Sequence, residues 1–275
     1  MSGDRFWSAV EATRTKGPLV QCLTNFVSMD IVANGLLAVG ASPAMVHATD
    51  ELSDAVPIVG ATGGAVSINI GTLDERWIQS FEATVALCKT HQVPWVLDPV
   101  AAGFTTLRTS TAVRLMELHA PAVVRGNASE ILALAGATSG GKGVDSTDAS
   151  DAAIAAATLL AERFGCVVCV SGATDYVVAP GGAVSACHHG HEMLTKVTAA
   201  GCLVSSVIAA FVAARPEGCS VSEATLWSMC YFGRCAEEAA AGCEGPGTFR
   251  VRFLDKLFSV GSRRDDVPLR AEFKP

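Results

Sequence analysis

A chain of 275 residues that is 50% hydrophobic and only 17% charged is too apolar to be disordered, and by surface scaling it buries roughly 73% of its extended-chain surface on folding. Its net charge of −7, with Arg263-Arg264 as the one short basic pair, excludes a nucleic-acid role, because the phosphate backbone demands clustered Lys and Arg. Ten cysteines without a secretory leader in residues 1–14 read as reduced, buried thiols of a cytoplasmic protein, and the one long apolar run, 197–214, carries too much Thr, Ser and Gly for a membrane span.

Short apolar runs alternate with amphipathic or Ala-rich stretches. Residues 18–23 read as a strand and 30–39 as a helix, with short strands at 44–47 and 65–70. Trp77, Phe81, Val85 and Cys88 recur at helical spacing within 76–91. A buried strand at 94–97 ends in Asp98-Pro99, and a helix follows at 111–119. The strand at 122–124 ends in Arg125-Gly126-Asn127 and leads to a helix at 129–134, with Ser129 as its N-cap. Residues 136–143 form a flexible loop, 148–164 an Ala-rich helix, and 166–170 a strand ending in Ser171-Gly172. Gly181-Gly182 turns a hairpin between 176–179 and 183–187. A loop at 196–201 opens an apolar helix at 202–213, and helices at 222–241 and 249–260 complete one domain over 1–262. The charged tail, 263–275, is expected to be loose.

Strand–helix alternation predicts an α/β fold, with a mostly parallel central sheet covered by helices on both faces. In such sheets ligands sit beyond the carboxyl ends of the strands. Those ends carry Asn25, Met45, Asn69, Asp98, Arg125, Asn127 and Ser171, a set that suits a phosphorylated ligand. Each alone serves equally well as a turn former or helix cap.

The stretch from Lys196 to Cys202 is a small-residue turn running straight into a helix. Free N–H groups at Ala200, Gly201 and Cys202, together with the helix dipole, make an anion hole for a transferring phosphoryl group. A thiol at such a helix start is expected to have a lowered pKa. The plainer alternative is a turn that packs the helix on the sheet, with Cys202 as filler. Asp98, held extended by Pro99, projects from its strand end in place to hold hydrated Mg²⁺. Asn127 and Glu130, three residues apart at a helix start, either face a metal–phosphate complex or cap the helix. Arg125 is a phosphate ligand or a surface arginine.

Other patterns fail. Residues 136–142 match G-x-x-x-x-G-K, but Gly143 replaces the required Ser or Thr and a helix precedes the loop. No G-x-G-x-x-G occurs, and His191-Glu192 lacks the second His of a zinc-protease motif. Cys166 and Cys169 lie on one strand and point to opposite faces. Cys187-His188-His189-Gly190-His191 reads as loop and half-buried polar surface more readily than as a zinc site.

Taken together, these segments resemble the hydroxyethylthiazole kinase family, the thiamin-salvage branch of the ribokinase-like superfamily. The match runs nearly end to end, through 19–25, 36–46, 68–72, 95–103, 125–136, 141–148, 175–177, 194–202 and 244–249. Arg-Gly-Asn-Ala-Ser-Glu-Ile from Arg125 and Gly-Ala-Ser-Pro-Ala-Met-Val from Gly40 are its most specific stretches. The resemblance implies a ribokinase-like three-layer fold. It also implies ATP- and Mg²⁺-dependent phosphorylation of the hydroxyl of 4-methyl-5-(2-hydroxyethyl)thiazole. By the same resemblance Met45 lines the thiazole pocket with Asn25 and Ala199 nearby, and Arg125, Ser171 and Asn127 contact ATP. Asp98 and Glu130 match carboxylates near the metal, and Cys202 stands where most ribokinase-like sugar kinases carry an aspartate base. The resemblance further implies a homotrimer with thiazole bound near the subunit boundary.

The family usually reads Thr-Gly-Thr-Gly-Cys in the anion loop, whereas this chain reads Thr198-Ala199-Ala200-Gly201-Cys202. Ala199 adds a Cβ where backbone and substrate approach, and a positive φ there would strain it. Ala200 loses a hydroxyl but keeps its N–H, and Ser171 stands for the more usual Thr. Phosphoryl transfer through a loose transition state rests mostly on positioning, so Cys202 is expected to orient the substrate hydroxyl and take its proton late. Two other readings stand beside this one: a kinase of a related heteroaromatic alcohol, of pyrimidine or pyridoxal type, and an idle nucleotide or thiazole binder.

Overall fold

The computed structural model describes residues 2–138, 149–264 and 268–274. In chain order, α1 (Ser2–Lys16) precedes β1 (Leu19–Leu23), α2 (Met29–Val39), β2 (Ser42–Ala44), α3 (Leu52–Ala61), β3 (Ala65–Asn69) and α4 (Glu75–His91). Next come β4 (Trp95–Asp98), α5 (Thr106–Leu118), β5 (Val123–Asn127), α6 (Ala128–Thr138), α7 (Ala149–Phe164) and β6 (Val167–Ser171). The hairpin β7 (Asp175–Val178) and β8 (Val184–Cys187) leads to α8 (Ala200–Ala214), α9 (Val221–Ala240), α10 (Pro246–Ser259) and β9 (Ala271–Glu272).

The strands form one nine-stranded sheet in the order β2-β1-β3-β4-β5-β6-β7-β8-β9. From β2 to β6 the neighbours pair parallel, and β7 to β9 add an antiparallel edge. Helices cover both faces. One core joins α1, α2, α8, α9 and α10 to the sheet, the other α3 to α7. Every residue of β3 and β4 is buried, which is why both read as continuous apolar runs with no alternation. This is the three-layer α/β arrangement expected. Among the described residues no helix is long and apolar enough to cross a membrane.

The helix α8 is apolar nearly all round and lies in the interior. Its side chains from Leu203 to Val212 are all buried, and the Ser206 hydroxyl meets Ser67 of β3 at 3.0 Å. A helix so enclosed has a fixed axis and a fixed start. Parallel register brings Asn69 beside Asp98 and Asn127 beside Ser171 at the carboxyl ends of the strands, level with that start.

Several expectations are corrected. Two helices, α1 and α3, add to the expected elements. α1 turns Phe6, Trp7, Val10 and Thr13 inward at helical spacing, and α3 accommodates Pro57 inside the helix. The loop expected at 136–143 is helical through Thr138, and its remainder, with the start of the helix expected at 148, falls outside the described residues. The tail expected to be loose beyond Arg263 contains β9, whose Ala271 and Glu272 pair with Cys187 and Ala186. Phe273 packs against Trp227 with ring centroids 5.8 Å apart, and the Lys274 N–H donates to the Ser185 hydroxyl at 2.9 Å.

Candidate active site

The start of α8 meets β5 and β6 through one guanidinium. Arg125 donates from Nη1 to the Gly201 carbonyl at 3.1 Å and from Nη2 to the Ser171 hydroxyl at 2.6 Å. A Cβ at 201 would sit 2.9 Å from Arg125 Nη1, so any larger residue there would push the guanidinium aside. Ala199 takes the left-handed conformation, φ 64°, and its carbonyl accepts from the Leu203 N–H at 2.9 Å. That turn leaves the N–H groups of Gly201 and Cys202 with no acceptor among the described residues. The Ala200 N–H, expected to be free as well, lies 3.5 Å from the Val197 carbonyl, a weak bond.

Beneath the loop runs a buried polar chain. The Asn25 amide Nδ2 donates to Asn69 Oδ1 at 2.7 Å and to Cys202 Sγ at 3.3 Å. Asn69 Nδ2 donates to Asp98 Oδ2 at 2.7 Å, and the Ser205 hydroxyl donates to the same oxygen at 2.9 Å. The other side of Asn25 accepts from the N–H groups of Val27 and Ser28, which fixes its orientation. Burial raises the Asp98 pKa to about 7, opposed by Arg125 and the hydrogen bonds from Ser205 and Asn69 and reinforced by Glu130.

The lowered pKa expected of Cys202 is overturned. Burial is the larger influence and pushes the thiol up, with Asp98 adding to it, while Asn25, Asn69 and Arg125 pull the other way. A helix start stabilises a thiolate only where water or a cation completes the solvation, and this sulfur is largely enclosed.

Asn127 and Glu130 meet as a capping box. Asn127 Oδ1 accepts from the Glu130 N–H at 3.0 Å, and Glu130 Oε2 accepts from the Asn127 N–H at 2.8 Å. Asn127 therefore takes the cap expected of Ser129, whose hydroxyl donates to it at 2.7 Å. The other oxygen of Glu130 accepts from the N–H of Ala101, itself at φ 57°, at 2.8 Å. Both Glu130 oxygens are thus engaged by backbone. Asp98 Oδ1, by contrast, has no hydrogen bond among the described residues. Asp98 thus fits a hard, oxygen-seeking ion with one free carboxylate oxygen, and an ion there would take its other ligands mainly from phosphates and water. Met45 packs at the edge of the same core face as Ala199 and Cys202.

A cavity of about 750 Å³ opens on one side of the loop, with Arg125, Ser171 and Gly201 in its wall and Leu194, Met229 and Phe232 as apolar lining. Asn25, Met45, Asp98 and Cys202 do not line it. Sequence reasoning missed two contributors. Ser205 lies three residues after Cys202, a spacing that puts both on one helix face. Asp175 lies in the cavity wall and accepts from the Gly172 N–H at 3.0 Å. Among the described residues no group of three or more His, Cys, Asp or Glu side chains is placed to hold a metal ion, those of Cys187–His191 included.

Residues 10–263 match the model of the hydroxyethylthiazole kinase family. A hydroxyethylthiazole kinase of Cereibacter sphaeroides is 46% identical over 263 residues, covering 96% of this chain and 97% of its own. One from Zea mays is 44% identical over 277 residues, covering 99% of this chain and 95% of its own. Among solved structures, the hydroxyethylthiazole kinase protein from Pyrococcus horikoshii superposes with a TM-score of 0.86 at 34% identity, covering 97% of this chain and 98% of that one. An ADP/ATP-dependent NAD(P)H-hydrate dehydratase from Bacillus subtilis shares the fold, with a TM-score of 0.55 at 13% identity over 93% of this chain and 98% of its own.

Two substitutions test the energetics. The folded state keeps its proton on Asp98 from about pH 4, where the unfolded carboxyl ionises, up to about pH 7. Stability from this group therefore falls across that window and stays reduced above it. Asp98→Asn is expected to raise the melting temperature by an increment that grows across the window and then levels off, measured by thermal unfolding at stepped pH. At the loop, Ala199→Gly removes the left-handed penalty of about 1–2 kcal/mol and restores roughly 0.4–1 kcal/mol of unfolded-chain entropy. The expected net gain is about 1 kcal/mol, read from denaturant unfolding.

Proposed function

The chain belongs to the hydroxyethylthiazole kinase family, and on that premise we propose that it transfers the γ-phosphoryl group of ATP to the side-chain hydroxyl of 4-methyl-5-(2-hydroxyethyl)thiazole, giving the thiazole phosphate for thiamin salvage. The observation that carries the reading is the loop at Ala199–Cys202. On one side of it opens a nucleotide-sized cavity with Arg125 in its wall, and on the other side, outside that cavity, lies the Cys202–Asn25–Asn69–Asp98 chain.

In this reading Arg125 and Ser171 hold the ATP phosphates, and the N–H groups of Gly201 and Cys202, with Ala200 beside them, face the group in flight. Backbone donors fixed by an enclosed helix need no reorganisation as charge develops. Met45, Asn25 and Ala199 line the acceptor side. Asn127 serves the nucleotide end by capping α6 under Arg125's strand. Asp98 would hold Mg²⁺ through its free oxygen, with Glu130 close by but already committed to backbone. Magnesium bound with the nucleotide supplies positive charge against the phosphate oxygens.

Burial keeps Cys202 a neutral thiol near pH 7, which changes the role expected for it. It orients the substrate hydroxyl toward the phosphorus, and the hydroxyl proton leaves late, to a phosphoryl oxygen, once the new O–P bond is largely formed. Exposed Phe26, Phe104 and Leu107 stand at the strand ends beside Asn25 and the loop after β4. They offer an apolar face for contact between copies of the chain. The assembly implied by the family resemblance is a homotrimer with its acceptor site near a subunit boundary, a state that light scattering reads directly. The reading places the enzyme in the cytoplasm, where thiols stay reduced.

Mixing the protein with ATP, Mg²⁺ and hydroxyethylthiazole is expected to release ADP and add one phosphoryl group to the thiazole by mass spectrometry. ATP left intact, with thiazole still protecting the protein against heat, would replace the kinase by a binder. Phosphorylation only of a pyrimidine or pyridoxal alcohol would shift the substrate. Cys202→Ala is expected to lower kcat by about 10²-fold and to leave the KM for ATP within about twofold, since the thiol acts on the acceptor side alone.

A further inference from the structure

One stretch of the cavity wall, from His189 to Glu192, follows β8 and is held from outside the cavity. The His189 ring is almost completely buried, 1% exposed, and both its nitrogens are engaged. Nε2 accepts from the backbone N–H of Arg270 at 2.9 Å, so the ring proton sits on Nδ1, which lies 3.2 Å from both carboxylate oxygens of Glu237 on α9. Glu237 also accepts from the Gly190 N–H at 2.8 Å and pairs with the Arg270 side chain. The Arg270 carbonyl accepts from the His188 N–H at 2.9 Å, so the backbone of one C-terminal residue brackets two successive loop residues. From the other direction α9 presses close at Gly233, where a Cβ would sit 2.6 Å from the His189 carbonyl carbon.

Such an arrangement has one working protonation state. An imidazolium would set a second N–H against the N–H of Arg270. Burial lowers the His189 pKa, as do Arg270 and Arg234, while Glu237 raises it. These groups, from α9 and the C-terminal segment, are the charged ones that face the ring, and their balance keeps the ring neutral near pH 7.

We propose that His189 is a positioning residue for the nucleotide. As a neutral imidazole with its proton on Nδ1, it fastens the loop at 188–192 between Glu237 and the Arg270 backbone, so that the C-terminal strand sets the shape of the cavity. The proposal rests on reading this cavity as the ATP site. Its consequence is selective. The loop touches the nucleotide side and not Cys202, Asn25 or Met45, so loosening it weakens ATP and leaves the thiazole side intact.

The test compares wild type with His189→Ala, His189→Gln and Glu237→Ala, by steady-state kinetics and by calorimetric titration with ATP–Mg²⁺. His189→Ala and Glu237→Ala are each expected to raise the KM and Kd for ATP about tenfold, with kcat and the KM for thiazole within twofold of wild type. Glutamine offers an acceptor to the Arg270 N–H and is expected to recover part of the loss. The double variant His189→Ala/Glu237→Ala is expected to be no worse than either single one, because both break the same link. ATP affinity within twofold of wild type in the folded variants overturns the proposal. So does a fall of kcat together with a comparable rise of both KM values and a lowered melting temperature, which marks a merely structural residue. Glu237 is half-buried where the His189 ring is enclosed, so its variant carries the test if His189→Ala does not fold. Wild-type protein that binds ATP but phosphorylates no thiazole overturns the functional reading alone, and calorimetry still decides the role of His189. Wild-type protein that binds no ATP overturns both.

Discussion

The guanidinium of Arg125 bonds the Gly201 carbonyl and the Ser171 hydroxyl together, and this fork is the constraint on which the rest of the site depends. It joins β5, β6 and the first turn of α8 at one point. The glycine at 201 leaves room for the guanidinium, which a Cβ there would have to displace. Once α8 is fixed there, Cys202 and Ser205 are fixed too, three residues apart on one face, and both reach the buried chain from Asn25 to Asp98. Two sides of one loop are thereby tied to one rigid body. That is what phosphoryl transfer asks of a protein, since a loose transition state gains most from donors and acceptor already in place.

Burial and pairing act against each other throughout this site. Asp98 is deep enough that desolvation outweighs a nearby arginine and two hydrogen bonds, and its pKa rises to about 7. Cys202 obeys the same balance, and the helix start loses to enclosure. Glu130 shows the other outcome. Backbone N–H groups from Ala101 and Asn127 take both of its oxygens, so its carboxylate is supported in place at the cost of freedom to bind anything else. Two carboxylates at adjacent strand ends thus have different tasks, one open to a cation and one closing the backbone around it.

Much of this was legible in the sequence because the physics behind it is local. Buried parallel strands announce themselves as unbroken apolar runs, and the rule that ligands lie at their carboxyl ends selects Asn25, Asp98, Arg125 and Ser171 before any geometry is seen. Asn127 followed by Glu130 carries its capping chemistry on its face. What stayed hidden depends on distant parts of the chain. Pro57 and Gly60 interrupt the helical pattern of α3, which is held by packing against α4, β1 and β3. The two residues of β9 have no pattern of their own and become a strand by pairing with β8. The thiol's pKa follows its depth of burial, which no spacing encodes. His189 is the sharpest case. Its ring looks like polar surface in a His-rich run, yet its partners come from α9 and from a segment that the charge pattern marks as loose.

Ala199 shows how far the scaffold governs the loop. An alanine at φ 64° is out of place by about 1–2 kcal/mol, and no side-chain cap at the helix start offsets it. The conformation persists because the elements around it leave no other. The carbonyl of Ala199 must meet the Leu203 N–H to begin α8, and α8 is enclosed on all sides by β3, β4, α2 and α9. Shifting the turn to relieve one residue would move a whole buried helix and break the Arg125 fork. The strain is therefore confined to a single peptide, where it is smaller than the packing that holds it. The same turn directs the next N–H groups outward, away from carbonyls that would satisfy them. Glycine would give that turn without strain, so the anion loop's shape is a property of α8 and Arg125 and not of the residue at 199.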